Sequence, residues 1–238
     1  MTYKRALTCL KFSLLACLLL QLQPAYSQYN FNEVDDLIAK NQKSLGGNIV
    51  MMIYKDGKIV YKKEIGEEFK MKTQAPIANC SMWLTAALVM TYVDEGKISL
   101  DDPVTKYIPI FESYSKRYIT IRNCLAHTTG IEADAPTIKT ILQKKKFATL
   151  EDEVTSFAKR EIEKNPGQMF YYSNIGLNIA GRILEIVSKK TFDRLVQEKL
   201  LRPLKMRNTT FYVDYDQSFN PSSGALSTAN DYLTFLTM

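Results

Sequence analysis

At 238 residues, with 46% hydrophobic and 24% charged, the chain has enough apolar mass for one core or two small interleaved ones, which excludes disorder as its main state. Its formal charge of +6 is partly a property of the N-terminus, because residues 1–27 hold Lys4, Arg5 and Lys11 and no acid, so the rest carries +3. Beyond that segment one histidine (His127) and two cysteines (Cys80 and Cys124) are too few for a zinc ligand set, so no metal centre and no cofactor are expected.

The basic start is followed by an apolar run from Phe12 to Leu22 and then by Ala25-Tyr26-Ser27, whose small residues suit cleavage before Gln28. This pattern predicts a signal peptide over residues 1–27 and an exported protein, periplasmic or secreted. The run is short for a bilayer span, so no stable transmembrane anchor is expected. Leu14 to Cys17 faintly resembles a lipoprotein box, but apolar residues continue past Cys17.

Residues 28–238 are expected as one domain: a helix and hairpin over 28–75, then a mainly helical part over 76–238. Val34, Leu37 and Ile38 recur at helical spacing, predicting a helix over 31–44 that stops at Gly46-Gly47. Ile49 to Tyr54 meets Lys58 to Ile65 across Asp56-Gly57, a strong hairpin signal. From Trp83 the pattern is helical up to Gly96, with Leu84, Ala87, Leu88 and Thr91 on one face. Asp102-Pro103 predicts a short helix start. Thr120 caps a helix that closes near Gly130, and Val154, Phe157 and Ile162 predict an amphipathic helix over 150–163. Lys144, Lys145 and Lys146 form the one dense basic run, which lacks interleaved aromatics and is read as a solvated edge, so no nucleic-acid partner is expected. Helices over 174–188 and 191–201, the second halted by Pro203, precede a capping box at Thr228 to Asp231. No later strands are expected after the hairpin, which needs further strands or helices to be stable. Export permits a disulfide between Cys80 and Cys124; the apolar helical pattern around each favours two buried free thiols.

Five stretches in one order carry a family resemblance. Ile77 to Asp102 begins I-A-N-C-S-M-W-L-T-A-A, Ile119 to Gly130 reads I-T-I-R-N-C-L-A-H-T-T-G, Asn165 to Gly176 reads N-P-G-Q-M-F-Y-Y-S-N-I-G, and Leu204 to Phe211 is followed by Gly224 to Asp231, G-A-L-S-T-A-N-D. Together they resemble the serine β-lactamase and penicillin-binding-protein superfamily, and more narrowly its class C-like branch of β-lactamases, D,D-peptidases and esterases. The resemblance implies an α/β (α+β) fold, an antiparallel sheet flanked by helices plus a helical region. It also implies a sheet left incomplete by C-terminal truncation, since the family's Lys-Thr-Gly or His-x-Gly strand lies downstream of the segment resembling Gly224 to Asp231.

In that family a serine attacks a β-lactam, peptide or ester carbonyl, and the lysine three residues later removes its proton. The resemblance puts the nucleophile position on Asn79 and the base position on Met82. An amide has no comparable proton to lose and a thioether is no general base. The family's Tyr-x-Asn motif falls on Tyr172 and Asn174, where a structural role in packing and capping competes with a catalytic one. Cys80 is predicted to rotate toward the core and Ser81 to the face opposite Asn79, so neither replaces the serine. Ser113 to Lys116 and Ser156 to Lys159 also spell S-x-x-K, the first expected in a loop and the second on a charged helix face. His127 is expected as a structural histidine. The resulting expectation is an inactive relic or a module that binds peptidoglycan-like peptides or β-lactams. The alternative is an active hydrolase using a substitute nucleophile or a partner chain.

Overall fold

The computed structural model describes residues 29–133, 147–211 and 219–238. The expected signal peptide over 1–27, Cys17 and Lys144 to Lys146 lie outside the described residues. Two compact units divide at Gly66.

In the first unit, helix α1 (Asn32–Asn41) is followed by strands β1 (Ile49–Lys55) and β2 (Lys58–Ile65). Asp56 and Gly57 both take positive φ, at 50° and 77°, which is the twist a two-residue hairpin turn requires. The antiparallel register runs from Ile49 opposite Ile65 to Lys55 opposite Lys58, with an irregularity between Ile53 and Tyr54. The carboxylate of Asp35 on α1 accepts from the Tyr61 hydroxyl at 2.8 Å and pairs with Lys63 at 2.7 Å, which ties the helix to β2. Phe31 adds a tilted ring contact to Tyr61 at 4.8 Å. No residue of either strand is fully buried.

The second unit is mostly helical. Strand β3 (Ala75–Pro76) and a 3₁₀ turn (Ala78–Cys80) lead into α2 (Ser81–Asp94). Gly96, with φ of 66°, closes it: Gly96 N–H donates to Val93 O and Lys97 N–H to Tyr92 O. A 3₁₀ turn (Val104–Lys106) precedes α3 (Ile110–Ser113), α4 (Ile121–Leu125), α5 (Leu150–Ala158) and α6 (Ile175–Ser188). Helix α7 (Phe192–Val196) continues as a π-helical turn, Gln197–Leu201, and α8 (Ala229–Leu236) ends the order. The core joins Leu84, Leu88 and Val89 of α2 to Ile179, Ile183 and Leu184 of α6 and to Phe192 and Leu195 of α7, each at most 1% exposed. Each such side chain contributes about 1.5–3 kcal/mol by leaving water. Thr120 caps α4 in a reciprocal box, its hydroxyl accepting from Asn123 N–H while Thr120 N–H donates to Asn123 Oδ1.

Several expectations are corrected. Strands do follow the hairpin: β4 (Thr210–Phe211) and β5 (Ala225–Ser227) join β3 in an antiparallel sheet of order β3-β5-β4. At two or three residues they are too short to show an alternating pattern, and their partners lie far off in sequence. Helix α5 stops at Ala158, short of 163, because Ile162 instead forms a bridge with Ile131, and Glu132 N–H and Glu163 N–H donate to Glu161 O and Gly130 O. Asp102 does not cap the turn at Val104. Its carboxylate accepts from Ser99 N–H, Lys106 Nζ and Tyr107 Oη, and Pro103 occupies the cap position. Of the match from Ser113 to Lys116, Ser113 is the last residue of α3, while residues 114–116 form the turn and loop expected there. Cys80 and Cys124 are both free, but only Cys124 is buried; Cys80 is exposed.

Candidate functional site

The turn carrying Asn79 is held from both sides. Ala78 takes φ of 44°, uncommon for a residue with a side chain. Ile77 N–H donates to Ala225 O at 3.0 Å, which docks the entry of the turn onto β5. Ser81 completes the clamp: its hydroxyl donates to Ala78 O at 2.6 Å and accepts from Ala225 N–H at 3.0 Å. Tyr232 on α8 donates its hydroxyl to Cys80 O at 3.2 Å, and one turn further along α2 Thr85 donates to Pro221 O at 2.6 Å. The sequence therefore spends its completely buried Ser81 on backbone geometry, leaving no hydroxyl there for chemistry.

This frame presents Asn79 and Cys80 to solvent and sends Met82 inward, 6% exposed. Among the described residues the Asn79 amide has no hydrogen-bond partner. The thioether at the position three residues on accepts no proton at neutral pH. The exposed Cys80 thiol is the strongest nucleophile on the turn, and the 100° helical rotation used to bury it does not hold, because residues 78–80 form a 3₁₀ turn before the α-helix begins. Its neighbour Tyr232 is no base for it. Burial and the Cys80 charge push the phenol up to about 12, so it stays protonated at neutral pH.

Tyr172 and Asn174 are positioned by a second frame built on His127. This residue takes φ of 56° in the turn after α4. Its carbonyl accepts from Tyr171 N–H at 2.8 Å, its Nδ1 accepts from Ser173 N–H at 3.4 Å, and its ring lies 4.8 Å from Tyr172 and 5.7 Å from Phe170. Partial burial lowers its pKa, so the imidazole is neutral at pH 7 and serves as a spacer between two loop strands. Tyr172 is half exposed, and Asn174 occupies the cap position of α6 without a side-chain capping bond. Helix α6 approaches α4 closely enough that a Cβ on Gly176 would lie 2.0 Å from Cys124 O.

The two pairs thus precede or open α2 and α6, helices that pack on each other, and among the described residues no hydrogen bond links Asn79 or Met82 to Tyr172 or Asn174. The structural work of Ser81 and Tyr232 was missed in the sequence. Their partners are 144 and 152 residues away, and no local spacing marks them. Trp83, Phe170 and Tyr171 add exposed aromatic surface near the two motifs in sequence. No group of three His, Cys, Asp or Glu able to hold a metal occurs among the described residues.

Comparison with known proteins places these frames in a wider context. A family model described as Beta-lactamase matches residues 34–238. Protein flp of Staphylococcus aureus is 29% identical over 190 residues, covering 75% of this chain and 38% of that protein. The chain spans about two-fifths of the length of the curated relatives it matches. A solved structure of a candidate β-lactamase from Bacteroides dorei superposes with a TM-score of 0.76 at 29% identity, over 88% of this chain and 63% of that one. A class C β-lactamase, at 20% identity, shares the fold with a TM-score of 0.72 over 87% of this chain and 63% of that one.

Proposed function

The chain belongs to the β-lactamase family, and from that premise we propose that it is a member without acyl-transfer chemistry, one that holds a family ligand without cleaving it. The observation that carries the reading is the pair Asn79 and Met82. The position that should bear a nucleophilic hydroxyl bears an amide, and the position that should bear its base bears a thioether that is 94% buried. The ligand class, peptidoglycan-like peptide or β-lactam, is taken from the resemblance together with the persistence of Tyr172 and Asn174. Export through residues 1–27 is part of the same proposal, since such ligands lie outside the cytoplasm.

One observation favours a second reading, a hydrolase with Cys80 as nucleophile: that thiol is exposed on the turn where the family serine would stand. Two measurements separate the readings. Incubation with fluorescent penicillin followed by a denaturing gel is expected to leave no covalent label, and a stoichiometric adduct lost in Cys80→Ala would overturn the first reading. Trp83 is the single tryptophan and is 65% exposed in the first turn of α2, four residues after Asn79, so its fluorescence probes a ligand seated beside that turn. A saturable blue shift with a D-Ala-D-Ala-terminated peptide is expected. A spectrum unchanged by both that peptide and penicillin would remove the binding role.

A further inference from the structure

Outside both motifs, the second unit contains a cavity of about 360 Å³ between the segment after α3 and the segment after α5. Its rim is exposed and includes Tyr114, Tyr118, Glu161 and Asn165. Its floor is buried and includes Lys116, 5% exposed, and Ile119, which is fully buried. None of Asn79, Met82, Tyr172 and Asn174 lines it.

The lysine is the anomaly. Lysine is among the residues least often buried without a partner, because removing an ammonium from water is costly. Here the ammonium has three protons to donate, and the described residues offer one long bond, to Tyr114 O at 3.4 Å, with the Tyr114 ring 5.8 Å away. Burial holds it below the usual lysine range, opposed only by the charge of Glu161, with which it forms no ion pair. Under-coordinated among the described residues, a buried cation in an open cavity is a binding group for an acceptor.

The other lining groups narrow the choice. A dianion such as phosphate would meet Glu161 across the same cavity, and a neutral ligand would leave the ammonium uncompensated. A molecule with a single carboxylate for Lys116 and a donor cation for Glu161 satisfies both, and the volume, at the small end for ligand sites, suits a compact one. We propose that this cavity binds a free α-amino acid, its carboxylate on Lys116, its ammonium at Glu161 beside the tyrosine rings, and its side chain over Ile119.

Calorimetric titration of the full chain with racemic alanine, N-acetylalanine and alaninamide tests this. Alanine is expected to bind saturably, and the two blocked analogues at least about tenfold more weakly, since each loses one charged contact of about 1.4 kcal/mol. Lys116→Met removes a buried charge and is expected to melt no lower than the parent while losing alanine binding. Glu161→Gln, on the exposed rim, should weaken alanine to the level of N-acetylalanine and leave N-acetylalanine unchanged. Absence of saturable alanine binding, equal binding of the three compounds, or undiminished binding in Glu161→Gln would each overturn the proposal. The Trp83 and penicillin measurements do not depend on this cavity, so the two proposals fail separately.

Discussion

Replacing Gly176 by alanine adds one methyl group at the seam between α6 and α4 and should destabilise this protein measurably. The built Cβ lies 2.0 Å from Cys124 O, 2.7 Å from its carbonyl carbon and 2.9 Å from its Cα, all backbone atoms that no rotamer change can move. An ordinary contact needs more than 3 Å, so α6 must retreat from α4 by about 1 Å along a seam of fully buried side chains. Overpacking of this kind costs about 1–3 kcal/mol, and the upper end applies because backbone faces backbone. Alanine's better helix propensity returns somewhat under about 1 kcal/mol. For a chain of this size the net loss of about 2 kcal/mol lowers the melting temperature by about 4–8 °C. The internal control is Gly96→Ala, where nothing lies within 4 Å of the added methyl and the cost comes only from φ of 66°. That conformation costs a residue with a side chain about 1–2 kcal/mol. Thermal melts followed by circular dichroism should therefore rank parent above Gly96→Ala above Gly176→Ala, with the second variant also weakening any ligand response at Tyr172 and Asn174. A Gly176→Ala melt within about 1 °C of the parent, or above Gly96→Ala, would refute the reasoning that close packing at Cys124 positions α6.

The two cysteines should differ sharply toward a thiol reagent. In a variant with Cys9 and Cys17 changed to serine, the folded protein is expected to release one fast equivalent from exposed Cys80, while Cys124, whose thiol burial pushes up to about 12, reacts only after unfolding. Two fast equivalents or none would contradict the geometry. His127 should make stability fall with acid. Its folded pKa lies below the ordinary histidine value of about 6.5, so the unfolded chain binds the proton first, and stability present above pH 6.5 is lost as pH falls toward the folded value. His127→Asn keeps an acceptor and tolerates the positive φ, and its melting temperature should vary less than the parent's between about pH 7.5 and 5. A parallel pH dependence in the two proteins would count against His127 as the titrating group.

Local chemistry carried much of the fold into the sequence. Asp56-Gly57 specified its hairpin turn, Gly96 closed α2, and Thr120 and Thr228 both cap the helices they precede, because each of these acts on backbone groups within about four residues. The family could be read because its landmarks are contiguous stretches that keep one order along the chain. The assignment of the motif positions to Asn79, Met82, Tyr172 and Asn174 rests on the same contiguity and stands as a proposal.

What the sequence could not supply is set by groups that meet across many residues. Strands β3, β4 and β5 exist only as pairs joining residues 75–76, 210–211 and 225–227, so no window of the sequence contains their pattern. Whether Cys80 is buried depends on the pitch of a single 3₁₀ turn, and that turn is fixed by Ala225 and Tyr232 from the far end of the chain. Lys116 reads in the sequence only as the end of a chance S-x-x-K match that begins at Ser113. Only the approach of residues 161–166 to residues 114–119 encloses its ammonium, because the cost of burying a charge is a property of the surrounding volume and not of neighbouring residues in the chain.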